Sequence, residues 1–387
     1  MRSQPLLSEE HMTCVLVTSA CSYHGRHLVA GLRAQGHDVI AWDDGLPGTW
    51  DGDLWPPPLD AELITSELDD LDRLDQALKR AKHVIHLIDP VHPLDRERLR
   101  PPPPLAQTVT LLRAAAAAGV ERLVLQSSLT VYGEGRYIDE DGVPQPARRT
   151  IYDLEAGRWQ ARCLRDQPIA AMPTPEDTPP APLTHAAKLC VMRERMVRKW
   201  SAVTGAKAAV LRMGRLYGPP LPGGGTFCGE TGLMASHLLA GRRPPVLEDG
   251  GQTDDWLHVH DAVRAFRLAL LNCTRDMPPL NISSGIGHSA ADIAGMLAMA
   301  AYAGERAAAP LQMACKGTAR HLVGEPGTAE DRIGFVPGLS LPRSLADLIL
   351  WTAEAGTEDR ASHILENLHR HAGLVGPGRR RARPSLS

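Results

Sequence analysis

The feature that most constrains this chain is a repeated exchange of two hydrophobic periods over its first 130 residues. Cys14-Val-Leu-Val17 is a short unbroken apolar run, the pattern of a strand buried on both faces. Residues 25–35 then set Leu28, Val29 and Leu32 on one helical stripe, and Gly36 stops it. A strand at 38–42, a helix at 71–81, a strand at 83–88, a helix at 105–118 and a strand at 122–126 follow. A Trp/Pro-rich loop at 45–58 and the run Pro101-Pro-Pro-Pro104 punctuate them, because proline cannot sit inside a helix. Strands alternating with helices of this length require parallel βαβ units. The expected fold class is α/β with a doubly wound parallel sheet.

Beyond residue 130 the pattern loosens. Residues 133–183 read as a proline-rich loop insertion, residues 183–202 as a long helix and 206–212 as a strand. Helices near 231–240, 260–272, 289–302 and 342–353 suit a smaller α/β lobe. The expected organisation is a nucleotide-binding domain over 12–213 and a substrate lobe over 214–355, interleaved with the first. The tail over 376–387, with Arg379, Arg380, Arg381 and Arg383, reads as solvated disorder.

Composition narrows the function classes. The 387 residues are 43% hydrophobic and 22% charged, which is globular rather than disordered. A net charge of −3 supplies no global field toward nucleic acid or an anionic membrane. No apolar run reaches the ~20 residues a membrane span needs, and residues 1–11 have no signal-peptide core. The expectations are therefore a cytoplasmic protein, a small-molecule substrate, and neither nucleic acid nor membrane as partner. Seven scattered cysteines without a C-x-x-C pair imply reduced thiols and no structural metal.

Six segments, read in order, resemble the extended short-chain dehydrogenases, the NAD-dependent epimerase/dehydratase family. Thr18-Ser-Ala-Cys-Ser-Tyr-His-Gly25 stands where that family has T-G-x-x-G-x-x-G, and His86-Leu-Ile-Asp89 where it has H-L-A-A. Ser127-Ser-Leu-Thr-Val-Tyr-Gly133 is similar to S-S-x-x-V-Y-G, and Arg212-Met-Gly-Arg-Leu-Tyr-Gly-Pro219 to R-x-x-x-x-Y-G-P. Asp255-Trp-Leu-His-Val-His-Asp261 is similar to R-D-F-x-x-V-x-D without its arginine, and Leu280-Asn-Ile-Ser-Ser-Gly285 to the late N-I-G-S-G turn. Tyr132-Gly-Glu-Gly-Arg-Tyr137, Leu154-Glu-Ala-Gly-Arg-Trp159 and Pro173-Thr-Pro-Glu-Asp177 resemble the insertion of bacterial dTDP-L-rhamnose 4-epimerases. The resemblance implies a Rossmann-type domain, NAD as cofactor, and a homodimer formed through the helices at 105–118 and 183–202.

The chemistry-bearing positions depart from the family. Ser19 and Ser22 replace the first two glycines of the dinucleotide loop, Gly25 keeps the third, and Asp43 ends the second strand where an acid holds the ribose. With His24, these are the candidate cofactor-binding residues. The family's Y-x-x-x-K puts tyrosine and lysine on one helical face, where the lysine charge favours tyrosinate. Here the segment is Thr184-His-Ala-Ala-Lys188, and none of the six lysines has a tyrosine four residues earlier. Thr184 is a far weaker acid, or the N-cap of its helix. Ser128, Thr184, His185 and Lys188 are the candidate catalytic residues. Thr253 and Asp254 stand where arginines grip the substrate diphosphate, while Arg320 of Cys315-Lys-Gly-Thr-Ala-Arg-His321 survives. His258 and Arg320 are the candidate substrate-binding residues.

Three functional readings remain open. The first is a repurposed enzyme of bacterial specialised metabolism doing acid/base chemistry on a sugar or polyketide-like small molecule. The second is a sugar-nucleotide 4-epimerase using NAD with an unusual acid/base group. The third is a non-catalytic partner of a biosynthetic enzyme.

Overall fold

A computed structural model describes residues 13–45, 59–88, 104–165, 167, 169–219, 229–304, 308–354 and 374–377. The expected loop at 46–58, Pro101 to Pro103, Asp89 and the tail from residue 378 lie outside the described residues. The first half runs β1 (Cys14–Thr18), α1 (Tyr23–Arg33), β2 (Asp38–Asp43), β3 (Glu62–Thr65), α2 (Leu71–Arg80), β4 (His83–His86), α3 (Leu105–Ala117) and β5 (Arg122–Ser128). An insertion carries β6 (Arg136–Ile138), β7 (Pro144–Gln145), α4 (Ile151–Glu155) and β8 (Ala170–Met172). Next come α5 (His185–Thr204), β9 (Lys207–Met213), β10 (Arg215–Tyr217), α6 (Gly229–Leu239), β11 (Pro245–Val246), β12 (Thr253–His258), α7 (Val259–Asn272) and β13 (Leu280–Ile282). The chain continues through β14 (Gly287–Ser289), α8 (Ala290–Ala300), β15 (Ala309–Pro310), β16 (Ala314–Cys315), β17 (His321–Leu322), α9 (Gly327–Ile333) and α10 (Leu341–Glu354).

Seven strands form one parallel sheet in the order β13-β9-β5-β4-β1-β2-β3. Val15, Leu16 and Val17 are fully buried, because helices cover both faces. Leu28, Val29 and Leu32 of α1 pack one face together with Val263 and Phe266 of α7. Leu74 and Leu78 of α2, Leu111 and Leu112 of α3, and Val197 and Trp200 of α5 pack the other. Chain order reverses between β1 and β4, so the cleft of such a sheet opens at the carboxyl ends of those strands.

Three departures from the sequence reading have physical causes. Helix α1 begins two residues early, at Tyr23, because Ser22 caps it. The edge strand β3 has only four residues and no clean alternation, so its pattern is silent. The insertion is a three-stranded sheet, β7-β6-β8, rather than loop alone. The C-terminal lobe has its own core of Met234, Leu238, Ile293, Leu297, Leu345 and Leu348, from α6, α8 and α10. Strand β13 and helices α7 and α9 return to the first sheet from that half of the chain. Among the described residues no helix is long and apolar enough to cross a membrane.

Candidate active-site cleft

The loop after β1 keeps the shape of a dinucleotide turn with altered residues. Ser19 has φ +50°, the left-handed conformation that favours glycine and that costs a residue with a Cβ roughly 1–2 kcal/mol. Ser22 Oγ accepts from Gly25 N at 3.2 Å and donates to Ser19 O at 2.7 Å. A Cβ on Gly25 would stand 2.3 Å from Ser19 O and 2.8 Å from Ala20 O. Glycine is therefore required at 25 by the loop's own packing, whatever binds above it. Asp43 turns back onto this loop: Oδ2 accepts from Cys21 N at 2.9 Å and Oδ1 from Gly45 N at 3.1 Å. Burial of the Cys21 thiol, with the Asp43 charge adding to it, pushes that group up, so that cysteine stays a thiol. His24 reaches beneath the loop, its Nε2 2.9 Å from Gln126 Oε1, which also accepts from Ile88 N at 3.0 Å.

These residues fit a dinucleotide at the turn, where Ser19 holds the left-handed bend and Gly25 the close approach. The fit is tightest at Ser22, whose hydroxyl caps a first-turn N–H of the kind that otherwise faces a phosphate.

The acid/base segment opens α5. Thr184 is the N-cap: Oγ1 accepts from Ala187 N at 3.1 Å. Its methyl faces Gly317, where a Cβ would come within 2.9 Å of Thr184 Cγ2. Both sides of this small residue are thus occupied. His185 and Lys188 lie in the first helical turn, exposed, and neither side chain has a hydrogen-bond or ion-pair partner among the described residues. Ser128 ends β5 and caps the short turn Leu129–Tyr132, its Oγ accepting from Thr130 N at 3.2 Å. Thr130 Oγ1 donates to the same oxygen at 3.0 Å.

No tyrosine stands in for the missing one. Tyr132 donates to Asn281 Oδ1 and accepts from Arg212 Nη1, both at 2.7 Å, and burial pushes its hydroxyl up to about 12. Tyr217 is likewise buried and raised to about 12. Burial also raises Tyr137, and Tyr23 donates to Gly218 O at 2.7 Å. Tyr152 lies exposed on α4, and Tyr302 lies exposed just past α8. Behind Ser128, Ser127 Oγ donates to Glu194 at 2.6 Å, and Arg212 pairs with the same carboxylate at 2.8 Å. This buried pair ties the middle of α5 to β5 and β9.

The diphosphate-clamp region has changed sign. Asp254 Oδ2 accepts from Arg215 Nη2 at 2.7 Å across the β10–β12 pairing. Glu230 approaches the same guanidinium at 3.3 Å, and Arg215 lies 5.3 Å from the Trp256 ring centre. Arg320 departs from the substrate-binding role expected for it. Its Nη1 donates to Glu248 at 2.9 Å and Asp249 at 2.7 Å, its Nη2 to Asp249 at 3.0 Å, and it is 4% exposed. Arg149 extends this buried network, pairing with Glu134 at 3.0 Å and Glu248 at 2.6 Å. Arg320 is a strut between lobe and insertion, since its guanidinium is already matched by carboxylates. His258 departs too. It caps α7, its Nδ1 accepting from His260 N at 3.1 Å, and its ring packs on Tyr217 and His260. Desolvation lowers it to about 4, so it is a neutral structural ring at pH 7.

Sequence reasoning passed over Arg215 and Arg149, one a middle position of a matched motif and the other inside the insertion. Only the fold sets each beside its acids. Among the described residues no group of three His, Cys, Asp or Glu side chains is arranged to hold a metal ion.

Comparison with known proteins places this architecture. The model of the NAD dependent epimerase/dehydratase family matches residues 15–155 and 166–283. The chain is 26% identical over 350 residues to a dTDP-L-rhamnose 4-epimerase of Burkholderia thailandensis, spanning 88% of this chain and 95% of that enzyme. It is 29% identical over 262 residues to a 3-diazoavenalumate denitrifying reductase of Streptomyces sp, spanning 65% of this chain and 70% of that one. Among solved structures, MoeE5 in complex with UDP-glucuronic acid and NAD superposes with a TM-score of 0.64 at 28% identity, over 88% of this chain and 99% of that one.

Proposed function

This chain belongs to the NAD-dependent epimerase/dehydratase family, and from that premise we propose that it has left the family's tyrosinate-driven hydride relay and uses its cleft for acid/base chemistry on a small molecule. The observation that carries this reading is Thr184 Oγ1, which stands at the tyrosine position and is engaged as a helix cap. A threonine hydroxyl cannot serve as a base near pH 7. The adjacent exposed imidazole of His185 is the side chain placed to act as acid or base there. Lys188, one helical turn from Thr184, contributes a cation for a hydroxyl or enolate oxygen that gains charge. The substrate is a sugar or polyketide-like molecule held without a diphosphate grip, since Thr253 and Asp254 stand where arginines would supply one and Arg215 is already paired with Asp254. The Streptomyces relative is named for 3-diazoavenalumate rather than for a sugar nucleotide, which supports a redirected cleft.

A second reading, an epimerase using NAD with an unusual acid/base group, is favoured by the preserved turn at Ser19 and Gly25. On that reading Ser19, Ser22 and Gly25 hold the pyrophosphate and Asp43 the ribose. The cofactor, when bound, supplies a hydride acceptor, while Lys188 and His185 hold and move the proton of the sugar hydroxyl. Native mass spectrometry of the purified protein separates the two. Absence of dinucleotide, with product formation abolished in His185→Ala and Lys188→Ala, supports the first reading. Stoichiometric NAD overturns it in favour of the second. Product formation unchanged in both variants sinks both.

A further inference from the structure

We propose that residues 374–377 are a latch: docked, they keep the turn 315–318 closed against Thr184, and on leaving they let that turn withdraw. Strand β18 (Leu374–Val375) pairs antiparallel with β16, Cys315 opposite Leu374 and Ala314 opposite Val375. Just beyond that ladder, a Cβ on Gly317 would stand 2.9 Å from Thr184 Cγ2 and 3.4 Å from Leu183 O. The strap and the cap of α5 therefore grip the same short segment from its two sides. The turn closes on itself, Thr318 N and Oγ1 both donating to Cys315 O, at 3.2 and 2.8 Å. Arg149 of the insertion steadies its far end by donating from Nη2 to Thr318 O.

The strap's anchorage is slight. Its ladder has two residue pairs, Leu374 is buried, and Val375 packs half-buried on Leu154, Trp159 and Ala314. Pro377 touches the insertion, where a Cβ on Gly157 would come within 3.0 Å of its Cγ. Segments with so few buried contacts open at the low end of a protein's local stabilities. The support beneath is also strained. Gln312 and Glu248 hold φ +53° and +52°, left-handed values that disfavour a residue with a Cβ. They are joined by backbone bonds, Gln312 N to Glu248 O at 2.9 Å and Glu248 N to Met313 O at 2.8 Å. The strap lies directly on this exchange, since a Cβ on Gly376 would stand 2.4 Å from Gln312 O and 3.2 Å from Met313 Cα. Slight anchorage over a strained support narrows the free-energy gap between docked and undocked states.

Undocking releases Cys315 from its ladder and with it the hold on Gly317. Space beside Thr184 then opens to a ligand at the end of α5 that carries His185 and Lys188. The latch rests on the reading of that segment as the reaction centre. Its opening is measured without turnover, so the latch and the proposed chemistry fail separately.

The native Cys315 supplies a lock. Directly opposed residues of an antiparallel pair have Cα atoms ~4.5–5.5 Å apart, within the ~4.4–6.8 Å that a disulfide spans. Full-length Leu374→Cys, oxidised against Cys315, holds the strap docked, and its reduced form is the control. Full-length Gly376→Val drives a side chain into Gln312 O and displaces the strap. Hydrogen exchange at residues 315–318, read by mass spectrometry, should be at least ~10-fold slower in the oxidised than in the reduced Leu374→Cys chain. It should be at least ~10-fold faster in Gly376→Val than in the native chain, with exchange in β1 and β9 unchanged. In the Gly376→Val background, Thr184→Tyr should lower the urea midpoint by at most about half of what it does in the native chain. Equal exchange in the oxidised and reduced forms would mean that the strap never leaves, and would overturn the proposal. So would failure of the disulfide to form, equal acceleration in β1 and β9, or additive losses of urea midpoint.

Discussion

The Arg215 guanidinium lies 2.7 Å from the Asp254 carboxylate, joining β10 to β12 where the family resemblance leads one to expect an arginine facing the substrate. The acid at 254 is not an isolated loss. It is matched by a cation on the neighbouring strand, and Glu230 leaves the trio with one excess negative charge if all three are ionised. Burial raises the Glu230 carboxyl above its ordinary range, which moderates that excess. Asp254→Arg should restore an anion-binding surface beside Arg215. Affinity for dTDP, read by isothermal titration calorimetry, should rise at least ~10-fold, which is about 1.4 kcal/mol. Unchanged affinity would show that this corner does not face a diphosphate.

Thr184 is a cap with no spare room. Thr184→Ala should cost about 1 kcal/mol in urea unfolding, through loss of the bond to Ala187 N, whereas Thr184→Ser should hold stability. Thr184→Tyr should not confer epimerase turnover, because the new ring must displace the segment around Gly317 and the cap is lost. Measurable sugar-nucleotide epimerisation by that variant would contradict the crowding inferred at this position.

In the dinucleotide turn, the two glycine-like positions should respond oppositely. Ser19→Gly relieves the left-handed φ and should stabilise the fold by about 1 kcal/mol, net of the greater chain entropy of glycine. Gly25→Ala drives a Cβ into the carbonyls of Ser19 and Ala20 and should destabilise by about 1–3 kcal/mol. Chemical denaturation of both variants checks the pair, and equal effects would mean the turn is not built this way.

Acid should weaken the fold through buried neutral histidines. Desolvation lowers His27 to about 3, with His260 and His258 adding to the effect, and lowers His258 to about 4. Unfolded histidine binds its proton near pH 6.5, so between there and the folded values the unfolded state holds more protons. Stability is therefore full above pH 6.5 and lost as pH falls toward 4 and 3, by up to ~1.4 kcal/mol per pH unit for each ring. His27→Gln should flatten the dependence of the urea midpoint on pH between 6 and 4. An equally steep profile in the variant would remove His27 from the explanation.

The network under the insertion should behave as a unit. Arg149→Met strands Glu134 and Glu248 without their shared cation and should cost about 3–5 kcal/mol. Glu248→Gln in the same background should recover part of the loss. Additive destabilisation in the double variant would mean the residues are not coupled.

The layers of the fold were legible in the chain because each depends on local periodicity. Continuous apolar runs announce buried parallel strands, and stripes at 28, 29 and 32 announce α1. The absence of a tyrosine four residues before any lysine was equally a matter of spacing, so the departure from the relay chemistry could be read directly. Which residues remain available to a ligand could not be. Arg320 looks like a free cation in its motif, and only the approach of Glu248 and Asp249 makes it a strut. His258 looks like a cleft residue until α7 turns it into a cap. Asp254 reads as an uncompensated acid until β10 brings Arg215 alongside. Helix and strand patterns lie in neighbouring residues, whereas charge pairing and capping join groups that only the folded chain brings within hydrogen-bond reach.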